Sequence, residues 1–398
     1  MSSSSPKTSG SKVTTRTVFY IPGYDPRGPA HYHRLYQDEA AKQSAINGLN
    51  ISVGPRRNID EFESVWTLTA EQTVTEYRFM RYDDIIRERW SKSTPGIIAD
   101  VVRYTVSFVR RHVFIKVLRT SWPTFLTICL APALLLLAVL LSCFAAIAAA
   151  VFVPWPIAAA LALVVLAGLI FLRPVLEPHT NVFWLARILA FISDQGDGSA
   201  SDMETRVDIF AQRIATAIVA DSATEVLVVG HSIGTQLAVA ACARALKLLG
   251  KHTGAISLLT LGHTIPLLGL QPGADTFRNE LAAVASAQRI DWIDISAAID
   301  SACFPLTDPV AGSGLNQADP TVPKPKLLSA RFPKLFTPAS YTKLRRDFSR
   351  AHFQYLMAAE LAGDYDYFLL TAGDKTLAER FRNLASVKGF DRFRIGRP

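Results

Sequence analysis

From Thr124 to Leu172 the chain reads "TFLTICLAPALLLLAVLLSCFAAIAAAVFVPWPIAAALALVVLAGLIFL", without a single Asp, Glu, Lys or Arg. One helix crosses a bilayer with about 20 apolar residues, so this run has the length for two. The break falls at "VFVPWP": Pro154 and Pro156 do not continue a helix interior, and Trp155 suits a membrane–water interface. The expectation is a transmembrane helical hairpin, Phe125–Ala149 and Trp155–Leu172, whose second arm is about 27 Å long. A buried helical pair in a soluble core and a re-entrant hairpin are the alternatives. Soluble helices seldom run this far without a polar face, which favours spanning.

The flanks orient the hairpin. Arg103, Arg110, Arg111, Lys116 and Arg119 precede it, Arg173 follows it, and its tip is uncharged. Positive charge stays on the cytoplasmic side, so both termini and both soluble parts are expected there. The stretch "ADVVRYTVSFVRRHVFIKVLRTSW" alternates apolar and basic residues. It fits a helix lying on the membrane surface and equally a solvated helix leading into the bilayer. Net charge is +8, yet there is no basic arm and no aromatic–basic interleaving, so a lipid bilayer rather than nucleic acid is the expected partner. Four cysteines, Cys129, Cys143, Cys242 and Cys303, show neither metal-ligand spacing nor a disulfide framework. The opening "MSSSSPKTSGSK" is polar and low in complexity, with no apolar core of a signal peptide.

The soluble parts alternate strand and helix patterns. "RTVFYIPGYDPRG" is a short apolar strand running into a Pro/Gly turn, and "ESVWTLT" and "TVTEYRFMRY" are further strands. After the hairpin come the helix "SDMETRVDIFAQRIATAIVADS" with an Asp cap candidate, strand "EVLVVG", helix "GTQLAVAACARALKLLG", and strands "AISLLTLG" and "RIDWIDIS". Such alternation predicts an α/β fold, a mostly parallel sheet with helices on both faces. "EVLVVG" is apolar at nearly every position, as a central parallel strand is. The N-terminal part alone has too few strands to close a core. We therefore expect a tail over residues 1–15, one α/β domain split between 16–120 and 174–398, and the membrane hairpin at 121–173.

Chemistry concentrates at "VLVVGHSIGT". Gly-x-Ser-x-Gly is weak as a bare pattern, but here it joins an apolar strand to an apolar helix, the setting of a nucleophile elbow. Ser232 would present its hydroxyl at a helix N-terminus, where a developing anion is favoured. The alternative is a tight turn without chemistry.

On these residues the chain resembles the α/β-hydrolase superfamily, and more loosely its lipase-like serine hydrolases; the hairpin lies outside the resemblance. The resemblance implies an oxyanion hole from the backbone N–H of Ile233 and from the loop "YIPGYDPRG", where Tyr24 is the candidate donor. Pro22 stands where His is common. It also implies the triad order Ser, acid, His. Asp300, after the strand "RIDWIDIS", is the chosen acid, with Asp308 and then Asp294 behind it. Of the eight histidines, His31, His33, His112 and His179 precede the nucleophile. His231 is read as packing, His252 as a helix-end loop residue, and His263 as following its strand too early. His352 remains, in "FSRAHFQYL", opening a helix-like segment and matching a lipase-like His-x-x-Tyr pattern with Tyr355.

The implied activity is hydrolysis of carboxylic or thio esters through a covalent acyl-enzyme, with no metal or organic cofactor. Lipid-like acyl esters are candidate substrates because the enzyme would sit at a membrane. A catalytically inactive hydrolase-like membrane scaffold is the competing reading. A transport role is weak, since the hairpin carries few polar residues, Thr127, Ser142 and the cysteines, and no charge.

Overall fold

A computed structural model describes residues 12–172, 175, 177, 181–316, 325–387 and 392–395. Strands from both sides of the apolar run join one mixed sheet, so the soluble parts form a single α/β unit. The strands are β1 (Thr15–Ile21), β2 (Ile51–Val53), β3 (Arg57–Asn58), β4 (Glu63–Ala70), β5 (Thr73–Met80), β6 (Glu225–His231), β7 (Ile256–Leu261), β8 (Ile290–Ser296) and β9 (Lys326–Ser329). Their spatial order is β2-β4-β5-β1-β6-β7-β8-β9, with β3 beside β4. Pairing is parallel from β5 through β9 and antiparallel among β2, β3, β4 and β5.

The helices that matter here are α1 (Pro29–Asn47), α2 (Asp83–Arg89), α3 (Thr94–Arg110), α4 (Val113–Thr120), α5 (Trp122–Ala150), α6 (Trp155–Phe171), α7 (Val182–Gly196), α8 (Ser201–Val219) and α9 (Gly234–Leu249). Side chains alternate across a strand, and β1 and β6 divide accordingly. Phe19, Ile21, Val226 and Val228 join one core with α3, α7, α8 and α9. Val18, Tyr20, Leu227 and Val229 join the other, with α1 and the C-terminal segment. β6 is buried at every position, as its unbroken apolar run predicts.

A buried ion pair fixes the central register. Arg16 and Glu225 are directly opposed on β1 and β6, and Arg16 Nε donates to Glu225 Oε2 at 2.7 Å with both side chains out of solvent. The remaining Arg16 donors reach the carbonyls of Gly373 and Lys375. The other Glu225 oxygen accepts from Ser257 Oγ and the Leu377 N–H. Every charge-bearing atom is thus satisfied, the condition under which a buried pair is tolerated.

Several expectations shift. The tail is shorter than residues 1–15: Thr15 begins β1, Val13 is buried and its N–H donates to the Asp374 carbonyl. Residues 1–11, Arg173 and His179 lie outside the described residues. Asp202 does not cap α8; Ala200 occupies the cap, and Asp202 in the first turn pairs with Arg89 at 2.7 Å. β5 ends at Met80, two residues before the end of the quoted strand, because Asp83 already starts α2.

The apolar run forms two helices of unequal standing. α5 is long and apolar enough to cross a membrane, and its most apolar window is almost wholly uncovered by the rest of the chain. α6, at 17 residues, is shorter, about 26 Å. α5 also starts three residues before the expected Phe125, and its first turns are part of the soluble unit: Thr124, Ile128 and Ala131 are buried. Pro132 sits inside α5 and cannot donate to the Ile128 carbonyl four residues back. The buried Tyr104 hydroxyl on α3 donates to that carbonyl instead, at 3.1 Å. Several basic flank residues are engaged by the protein itself. Arg103 pairs with Asp100 and Asp194, Arg111 with Asp197, and Lys116 reaches the Leu270 carbonyl. α3 buries Ile97, Val101, Tyr104 and Phe108 while exposing Val102, Val106 and Val109.

Truncating Arg16 to Ala leaves Glu225 charged and unpaired in the core. The expected loss is about 3–5 kcal/mol, read as a large drop in thermal midpoint.

Candidate active site

The turn after β6 is shaped by steric contacts that only glycine tolerates. A Cβ on Gly230 would lie 2.6 Å from the Gly234 carbonyl oxygen and 2.9 Å from Ala238 Cβ, because α9 folds straight back over the strand. A Cβ on Gly234 would lie 2.1 Å from the Ile21 carbonyl oxygen and 2.4 Å from that of Pro22, because the end of β1 crosses the start of α9. Between them Ser232 has φ 56°, the left-handed region, unusual for a residue with a side chain. Its N–H donates to the Leu261 carbonyl at 3.0 Å, and its carbonyl accepts from the Thr235 N–H and hydroxyl. The strain is therefore held by hydrogen bonds on both sides, the arrangement expected when backbone strain persists at a functional turn.

The loop after β1 packs against this elbow. Gly23 lies so close that a Cβ there would meet Ser232 Cβ at 3.0 Å. The carbonyls on either side are pinned: Tyr82 Oη donates to Pro22 at 2.8 Å and Trp184 Nε1 to Tyr24 at 3.0 Å. The N–H groups of Tyr24 and Ile233 have no hydrogen-bond partner among the described residues, so both expected donors stand free beside the serine. Pro22, the departure from the resembled pattern, contributes its carbonyl to the anchoring.

Asp300 and His352 meet. His352 Nδ1 lies 2.9 and 3.0 Å from the two Asp300 carboxylate oxygens, which assigns the proton to Nδ1 and leaves Nε2 as the free nitrogen. Burial opposes charge on Asp300, but the His352 ring and its hydrogen bond hold the carboxyl below the usual range. His352 lies in the last turn of the short helix Phe348–Phe353, capped by Asp347, so it closes that helix rather than opening it. Ser232, His352, Gly23 and Tyr24 all line one cleft. Ser232 and His352 make no direct hydrogen bond; such contacts are often long before a ligand tightens them.

The runner-up acids are elsewhere. Asp294, inside β8, accepts from the Thr260 hydroxyl at 2.6 Å, and burial pushes its carboxyl well above the usual range. Asp308 caps a short helix through the Val310 and Ala311 N–H groups. Neither touches His352. His263 is fully buried against the Thr307 carbonyl.

Two features escaped the sequence reading. His231 is more than packing: its Nε2 lies 3.0 Å from the His352 carbonyl, and the two rings are 4.9 Å apart. The Thr124 hydroxyl, on α5, donates to the Cys303 carbonyl at 2.6 Å, and Cys303 Sγ donates to the Asp300 carbonyl. The acid loop is thereby tied to the apolar helix. Adjacency of His231 to Ser232 hinted at the first contact, whereas nothing in the sequence signals the second. The Tyr355 hydroxyl accepts from the Ala297 N–H at 2.8 Å, bracing the same loop.

Among the described residues no group of three or more His, Cys, Asp or Glu side chains is arranged to hold a metal. Compared with protein-family models, curated proteins and solved structures, the chain matches none.

Gly234→Ala forces its methyl into two backbone carbonyls, and the expected result is loss of the elbow, seen as a lowered thermal midpoint. The histidines give a pH signature. Burial lowers His231 to about 3 and His263 to about 4, while unfolded histidine titrates near 6.5. The unfolded chain therefore takes up protons first, and stability falls as pH drops below about 6.5, by about 1.4 kcal/mol per pH unit for each ring. Thermal melts from about pH 7 to 5 should show this fall, and His263→Gln should make it shallower.

Proposed function

We propose that the protein is a membrane-anchored serine hydrolase of acyl esters, carboxylic or thio, built on an α/β-hydrolase-like domain. The observation that carries this reading is the Asp300 carboxylate held on Nδ1 of His352, whose ring lines one cleft with Ser232 on a strained elbow. In this mechanism His352 Nε2 takes the Ser232 proton as Oγ attacks the ester carbonyl carbon. Asp300 keeps the imidazole in the required tautomer and stabilises the imidazolium. The Tyr24 and Ile233 N–H groups receive the developing oxyanion. His352 then protonates the leaving oxygen or sulfur, and water, deprotonated by His352, releases the acid from the acyl-enzyme.

The anchor is the apolar part of α5 together with α6. α6, at 17 residues, is about 26 Å long, close to the bilayer hydrocarbon thickness of about 30 Å, and α5 is longer. Leu136, Phe144, Ile147 and Leu163 are left exposed to the surroundings, a patch far too apolar for water. The Val102–Val106–Val109 stripe of α3 faces outward as well, which supports a seat at the interface. The basic flanks support an orientation with the domain and both termini on the cytoplasmic side.

Labelling of the detergent-solubilised protein with a fluorophosphonate tests the assignment. The parent should label, Ser232→Ala should not, and Asp300→Asn should lower kcat on a short acyl ester by on the order of 10⁴. Undiminished labelling of Ser232→Ala overturns the reading.

A further inference from the structure

The wall of the catalytic cleft and the membrane-entering segment are one continuous helix. α5 contributes Thr124 and Ile128 to the cleft, facing Trp184, Leu185, Ile188 and Leu189 of α7. One turn further on, the same face of α5 (Ala131, Leu134, Leu135, Ala138) lines a second cleft against α3, α6 and Phe183, apolar throughout except for Thr94. Positions 124, 128, 131 and 135 follow the spacing of a single helical face. Ile128 therefore stands on α5 at the boundary between the two clefts, and it is the only large apolar side chain that α5 gives to the catalytic one.

This boundary cannot easily move aside. Thr124 is fixed to the Cys303 carbonyl, and Ser121 and Thr124 share a hydrogen bond at 2.8 Å. The Ile128 carbonyl, freed by Pro132, is held by Tyr104. Ile128 itself is 2 % exposed and packed in the core. A rigid apolar wall discriminates between chains differing by single methylenes, each worth about tenfold or more in kcat/KM.

We propose that Ile128 is the specificity-determining residue of this site, setting how far the acyl chain of a long-chain ester extends along α5. The proposal rests on the ester-hydrolase reading and deepens it by naming the substrate class. Beside Ser232 the acyl carbon meets the nucleophile, and the chain lies between α5 and α7 against the Ile128 side chain. Replacing Ile128 by a smaller residue joins the two apolar clefts and lengthens the chain accepted; replacing it by a larger one shortens it.

The experiment compares kcat/KM for p-nitrophenyl butyrate, octanoate and palmitate in detergent for the parent, Ile128→Ala and Ile128→Phe. Ile128→Ala should raise the palmitate-to-butyrate ratio and Ile128→Phe should lower it, each by roughly tenfold, with labelling of Ser232 retained in both. Ile128→Val, which removes one methylene, gives the first shift in milder form and serves if the bulkier variant does not fold. Ratios unmoved in variants that still label overturn the role of Ile128 and leave the hydrolase reading standing. A parent that neither labels nor hydrolyses any of the three esters overturns both.

Discussion

Pairing of β1 with β6 is the constraint from which the site follows. The two strands are separated by the whole apolar run, yet Arg16 lies opposite Glu225 and Ile21 opposite Gly230. A slip by one residue would send every side chain to the wrong face and strand a buried charge. With the register fixed at the Arg16–Glu225 end, the chain leaving β1 at the other end must cross the start of α9. That is why Gly234 has no room for a methyl and why Gly23 touches Ser232.

Burial then sets the electrostatics. A neutral His231 and a charged Asp300 sit on either side of His352, one held to its backbone and the other to its ring. Desolvation keeps His231 uncharged, because an imidazolium there would face both burial and the neighbouring His352. Asp300 stays ionised in an equally buried place because a partner compensates it. Asp294, equally buried but with only a hydroxyl donor, is pushed the other way. Of three aspartates close in sequence, environment separates the one suited to orient an imidazole.

The apolar helices are not an appendage. The first turns of α5 belong to the core, and through Thr124 and Cys303 they hold the loop that carries Asp300. Basic residues before the run, read from the sequence as a topological signal, are also paired with Asp100, Asp194 and Asp197. The pairs with Asp194 and Asp197 clamp α3 and the turn into α4 onto α7, so the support under the apolar helix α5 is electrostatic as well as apolar.

Periodic and local features were legible in the amino-acid order alone. A charge-free run as long as Thr124–Leu172 is helical and apolar whatever surrounds it, an all-apolar strand before "GHSIG" has to be central, and glycines flanking Ser232 permit the elbow. The triad order implied by the resemblance to α/β-hydrolases also singled out Asp300 and His352 as candidates for one site. Whatever depends on distance in space was left to tertiary packing. Only folding brought Asp300 rather than Asp294 or Asp308 to His352, set His231 against the His352 backbone, and placed Thr124 and Ile128 of α5 in the cleft. Such contacts join residues far apart in the chain through single hydrogen bonds and packed methyls. No hydrophobic period or turn chemistry encodes them, because they arise only when a register such as that of β1 on β6 is already fixed.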